Sequence, residues 1–136
     1  MKYPVIAFLD GDKNVYSFEK KDAEICLIDL IRIFDKAIFF DSDLKKHFVE
    51  NAVKVSWAYI FGYHPLLKGR SAKIKFRINQ SEKVSVSDVK NELISKLDNG
   101  VEKGFWYSKK DIPGLKEKVN EATDFNSLAR LFSEDI

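Results

Sequence analysis

The residues able to do covalent chemistry sit near the start of the chain. A short apolar run, Val5 to Leu9, ends in Asp10-Gly11-Asp12. Two carboxylates placed this way at a strand end could divide a phosphoryl transfer between them: one attacks phosphorus and the other handles the leaving-group proton. A tight turn accounts for the same residues. Asp10-Gly11-Asp12-Lys13-Asn14 is made mostly of the residue types that turns select.

An Asp-x-Asp strand end resembles the nucleophile motif of haloacid-dehalogenase-like phosphotransferases, and the rest of the chain departs from that pattern. Asn14 stands where a Thr or Val is usual, and no lysine with a distal acid completes the site. The chain is short for a doubly wound sheet, and its later half does not alternate strands with helices. The segment also fails as a calcium loop, because Val15 replaces the required Gly and Lys21 the required Glu. Cys26, His47 and His64 are the only cysteine and histidines, and their scatter gives no zinc spacing. A Cys26/His47 nucleophile pair has nothing in the sequence to position it. Cys26, within Ile25-Cys26-Leu27-Ile28, reads as a small buried apolar residue. Gly62, Gly69, Gly100 and Gly104 form no phosphate-cradling cluster. No catalytic residue, metal site or cofactor is assigned.

The richest segment for binding is 53–77. Trp57, Tyr59, Phe61 and Tyr63 recur at every second position and would share one face of an extended chain. Lys68, Arg70, Lys73, Lys75 and Arg77 follow. Residues 51–83 carry seven basic side chains against the single acidic Glu82, a basic island between mildly acidic flanks. Aromatics beside cations can stack on bases and pair with phosphates of single-stranded nucleic acid. The same combination can grip an acidic protein surface. A third account is structural: alternating aromatics line a core, and lysines on an edge strand suppress aggregation. The candidate binding set is Trp57, Tyr59, Tyr63, Lys68, Arg70, Lys73, Lys75 and Arg77.

The elements that would hold these residues follow from periodicity. Tyr3–Leu9 and Val15–Phe18 read as strands about the Asp10–Asn14 turn. Residues 22–34 are open between strand and helix. β-branched content favours a strand; Leu27, Leu30, Ile31 and Phe34 on one helical face favour a helix, towards which the reading leans. Ala37–Asp41 reads as a strand, Asp41-Ser42-Asp43 as a turn, and His47–Glu50 as a return leading to a further strand, Val53–Tyr59. Ala72–Asn79 alternates most clearly, with Ile74, Phe76 and Ile78 towards a core and Lys73, Lys75 and Arg77 away from it. Ser87 is expected to cap a helix from Asp88 to Leu97 carrying Val89, Leu93, Ile94 and Leu97. Ser108 and Asp111 have capping-box spacing before a helix with Pro113 in its first turn. Thr123 or Asp124 would cap a last helix through Leu128, Leu131 and Phe132. Phe105-Trp106-Tyr107 would plug the helix junction against the sheet. The sum is one α+β domain over 1–136: a mostly antiparallel sheet from the N-terminal two thirds, with two to three helices from the C-terminal third packed on it.

Composition agrees with a packed core: 45% hydrophobic and 32% charged, with 11 Phe, 5 Tyr and 2 Trp. One cysteine allows no internal disulfide, and no apolar run is long enough for a signal-peptide core or a membrane span, so the expected location is cytoplasmic. An aromatic-rich α+β chain closing in Phe105-Trp106-Tyr107-Ser108, Phe125-Asn126-Ser127-Leu128 and Leu131-Phe132 resembles immunity proteins of bacterial toxin–immunity systems, including contact-dependent growth inhibition. The resemblance implies a non-enzymatic module that binds and blocks one cognate toxin domain. The basic island departs from the acidic surfaces that inhibitors of basic nucleases offer; it suits a toxin with an acidic face, or it lies away from the interface. The competing expectation is a nucleic-acid-binding accessory protein using the 57–77 surface.

Overall fold

Alternating apolar residues build the first strands, and each face of the sheet then finds its own cover. The computed structural model describes residues 1–9, 14–18, 24–59, 62–63, 69–103 and 112–132. Strands β1 (Val5–Leu9), β2 (Asn14–Phe18), β3 (Ile25–Leu27), β4 (Ile38–Phe40), β5 (Lys45–Trp57) and β6 (Ser71–Lys83) form one antiparallel sheet in the order β2-β1-β4-β5-β6-β3. Helices α1 (Val86–Lys103), α2 (Ile112–Glu121) and α3 (Phe125–Leu131) follow, so the architecture is α+β. The Asp10–Lys13 segment, Phe61, His64, Lys68, Phe105-Trp106-Tyr107, Ser108 and Asp111 lie outside the described residues.

β1 is buried along its whole length because both of its faces are covered. Ile6 and Phe8 face the helices with Val15, Ile38 and Phe40, against Val89, Leu93, Leu97, Val119, Phe125, Leu128 and Phe132. Val5, Ala7 and Leu9 face the other way, into a cluster with Phe34, Phe39, Val49, Ala52, Ala72 and Ile74. Tyr16 and Phe18 from one edge strand and Cys26 from the opposite edge pack against this same cluster, so the sheet curls around it. Phe39 is its centre, edge-on to Phe18 at 6.5 Å, Phe34 at 6.3 Å and Phe76 at 4.7 Å. The curl is helped by register breaks in the β5–β6 pair, which place an extra residue at Glu50 and Val55 of β5 and at Asn79 of β6. Bulges bend a strand and increase its twist.

Several expectations change in detail. The open segment divides: Ile25–Leu27 is a strand, and Ile28–Phe34 is a 3₁₀ helix with Phe34 buried. Leu30, expected on the buried face, is 50% exposed, because three residues per turn rotate it away from Phe34. The return and the further strand are one continuous β5. Ile78 was expected in the core and is 42% exposed, since it lies where β6 runs past the cover of the inner cluster. The cap of α1 is Ser85 rather than Ser87: Ser85 Oγ accepts from Asp88 N at 3.1 Å and Asp88 Oδ2 accepts from Ser85 N at 2.9 Å, a reciprocal box. Asp124 caps α3 by accepting from Ser127 N at 2.7 Å.

Candidate functional site

The aromatic alternation from Trp57 does not continue as a strand. β5 ends at Trp57, and Tyr59 takes a left-handed backbone with φ 56°, which reverses the chain. Gly62 then donates from its N–H to the Ala58 carbonyl at 2.7 Å and accepts from Ser71 N at 2.6 Å. A side chain at Gly62 is excluded twice: φ is +90°, and a Cβ would lie 2.8 Å from the Trp57 ring. The turn therefore folds back onto Trp57 instead of extending its face.

This close approach assembles a cation–aromatic cluster. Arg70 stands over the Trp57 ring at 3.5 Å and over the Tyr63 ring at 5.3 Å. Lys54 covers Trp57 as well, its Nζ 3.6 Å from the ring centroid. Trp57 itself is half-buried against the inner cluster, while Tyr59 and Tyr63 are 52% and 56% exposed. Of the candidate residues, the fold joins Trp57, Tyr63 and Arg70 and adds Lys54, which sequence reasoning missed. In a regular strand, residues three apart face opposite ways; the bulge at Val55 puts Lys54 and Trp57 on one face.

Lys73, Lys75 and Arg77 lie on the opposite face of the sheet from Trp57. Their cross-strand partners are Ser56, Val53 and Asn51, whereas Ala72, Ile74 and Phe76 belong to the inner cluster. All three cations are exposed, and among the described residues none has a carboxylate partner. The expected single surface is thus two adjoining ones, a cation–aromatic cluster at the hairpin end and a bare basic row on the outer face. Both belong to the β5–β6 part of the sheet; the helices pack on β1, β2 and β4.

At the other end of the β5–β6 pair lies a polar arrangement that sequence reasoning also missed. Asp41 Oδ2 accepts from His47 Nε2 at 2.7 Å, and His47 Nδ1 meets Ser81 Oγ at 2.6 Å. Both ring nitrogens of His47 are thus engaged, one by the carboxylate and one by the serine hydroxyl. Asp41 and His47 are buried. Burial pushes the Asp41 carboxyl up, but hydrogen bonds from His47, Lys45 and Lys2 and the attraction of His47 outweigh it and hold the group below its usual range. Serine, imidazole and carboxylate in a row can activate a nucleophile. Here the second carboxylate oxygen is committed to the turn, accepting from Asp43 N at 3.0 Å and Lys45 N at 3.1 Å. The network therefore pins the β4–β5 turn to β6. Two surface grooves, one beside β6 and one between the N-terminal segment and α3, are lined by residues other than Ser81.

Cys26 and His47 do not pair. The Cys26 thiol donates to the Leu27 carbonyl at 3.1 Å, and burial pushes its pKa up, away from thiolate chemistry. Among the described residues no group of three or more His, Cys, Asp or Glu side chains could hold a metal ion, and no helix is long and apolar enough to cross a membrane. Comparison with protein-family models, curated proteins and solved structures gave no match.

Proposed function

We propose that this chain is a non-enzymatic protein-binding module that captures an acidic partner surface. In its most specific form it is a cytoplasmic immunity or inhibitor protein that neutralises a cognate bacterial toxin domain. The observation that carries the reading is the Lys54–Trp57–Arg70–Tyr63 cluster standing beside three unneutralised cations. Tryptophan, tyrosine and arginine are the side chains that dominate binding energy at protein interfaces. A bare basic row speeds encounter with an acidic surface.

The competing reading, a single-stranded nucleic acid, draws support from the same cations. It is weakened by the state of Trp57, whose ring already holds two cations at contact distance and so is not open to stack on a base. Salt separates the two readings. Nucleic acid binding should fall steeply with salt through counterion release. A toxin-domain complex anchored by aromatic contacts should stay one-to-one through moderate salt. The experiment is a titration of the chain against a toxin domain, should a neighbouring gene encode one, and against an oligonucleotide, each at low and moderate salt. Saturable binding of the oligonucleotide alone would reject the proposal.

A further inference from the structure

β6 is a long strand, and among the described residues one side of it is mostly unpaired. β5 pairs along it from Ala72 to Lys83, but on the other side β3 pairs only with Ser71, Ala72 and Lys73. From Ile74 onward, among the described residues, no strand lies on that side. A groove of about 410 Å³ runs beside this stretch, lined by Met1, Glu24, Val55 and, from β6, Lys73, Ile74, Lys75, Phe76 and Ile78. Its apolar part is Met1, Val55, Ile74, Phe76 and Ile78, with Met1, Val55 and Ile78 substantially exposed. Glu24 is engaged by the Tyr3 hydroxyl, which donates to it at 2.9 Å.

An open edge presents unpaired backbone donors and acceptors, which an extended segment can satisfy by adding a strand. Charge decides which segment. The outward side chains of the edge are Lys73, Lys75 and Arg77, so a second copy of β6 would bring cations against cations. An acidic strand would be attracted by the row that repels a copy. Side chains of a strand alternate, so the same segment would set apolar groups beside Phe76 and Ile78. We infer that the edge of β6 over Ile74–Ile78 accepts an extended partner segment that alternates acidic and apolar residues. This rests on the protein-binding reading above and names the partner's recognition element.

The test uses the full chain and a short N-acetylated peptide alternating glutamate and valine, followed by backbone amide NMR up to millimolar peptide. Shift changes and slowed hydrogen exchange are expected from Ile74 to Ile78. N-methylation of alternate peptide amides should weaken binding at least about tenfold, because each removes a backbone hydrogen bond. Lys75→Glu should weaken it too, and a peptide of the same composition with glutamates and valines in separate blocks should bind less well than the alternating one. No change at Ile74–Ile78, or N-methylated peptide binding as well as the parent, would overturn the inference. Arg70→Ala keeps the two proposals apart. Should the edge fail while the toxin domain still depends on Arg70, the strand-addition inference falls and the binding-module reading stands. Should the peptide bind the edge while the toxin domain ignores both Arg70 and Lys75, the binding-module reading falls.

Discussion

The two ends of the β5–β6 pair treat their polar side chains in opposite ways. At one end His47 is enclosed, with Asp41 and Ser81 on its two ring nitrogens, and the remaining oxygen of Asp41 ties down a turn. At the other end Arg70 and Lys54 lie against aromatic rings, the tyrosines beside them are exposed, and Lys73, Lys75 and Arg77 have no carboxylate partner among the described residues. Satisfied buried polar groups contribute to holding a fold together. Exposed cations contribute little to folding and much to encounter with a partner. The contrast assigns stability to the Asp41 end, and under the proposed function recognition falls to the Trp57 end.

The largest effect should come from breaking the enclosed end. Asp41→Ala leaves His47 and two turn N–H groups without their acceptor, and should destabilise the chain by about 3 kcal/mol in denaturant unfolding. Partner binding per folded molecule should be unchanged. Acid should act through the same group. The folded-state pKa of Asp41 is depressed, so its contribution is fully present above the unfolded value, about 3.9, and is lost as pH falls through the folded value. Asp41→Asn should therefore flatten the acid limb of stability against pH. An acid limb identical to the parent's would move the titrating group elsewhere.

At the recognition end, Gly62→Ala is the exception that should cost stability, on the order of 1–3 kcal/mol, because it combines a left-handed φ with a clash against Trp57. It should also displace the Trp57 ring, which indole fluorescence would report. A smaller effect of opposite sign is expected from Tyr59→Gly. Glycine adopts the φ of 56° without strain, so the melting temperature should hold or rise slightly while partner affinity falls with the lost ring. Loss of both stability and binding would make Tyr59 a packing residue.

The parts of this contrast that could be read from the sequence are those set by local rules. β6 and α1 announce themselves because Ile74 and Phe76 recur every second residue and Val89, Leu93 and Leu97 every fourth. Asp124 caps its helix by contacts three residues away. Ser85 and Asp88 carry the same local signal, S-x-x-D spacing, whereas the residue three after Ser87 is Lys90, which cannot close a box. What stayed hidden depends on bulges and on distant pairing. β5 reads as two pieces because the extra residues at Glu50 and Val55 break its alternation, and the same break conceals Lys54 beside Trp57. The Asp41–His47–Ser81 network joins residues up to 40 positions apart, and only its Asp41 turn left a trace, in Asp41-Ser42-Asp43. Tyr59 looked like a strand residue since nothing local marks a tyrosine for a left-handed turn.

The division of labour is tested most directly by the triple substitution Lys73→Glu, Lys75→Glu and Arg77→Glu, with unfolding and association rate to the proposed acidic partner measured on one preparation. Exposed cations without partners should cost little when reversed, so the melting temperature should move by less than about 4 °C. Association should slow by on the order of tenfold or more and its dependence on salt should weaken, because the reversed charges offset the steering field of the remaining cations. A well-folded variant that associates at the parent's rate would contradict the assignment of recognition to this face and leave the basic row as a guard on an open strand edge.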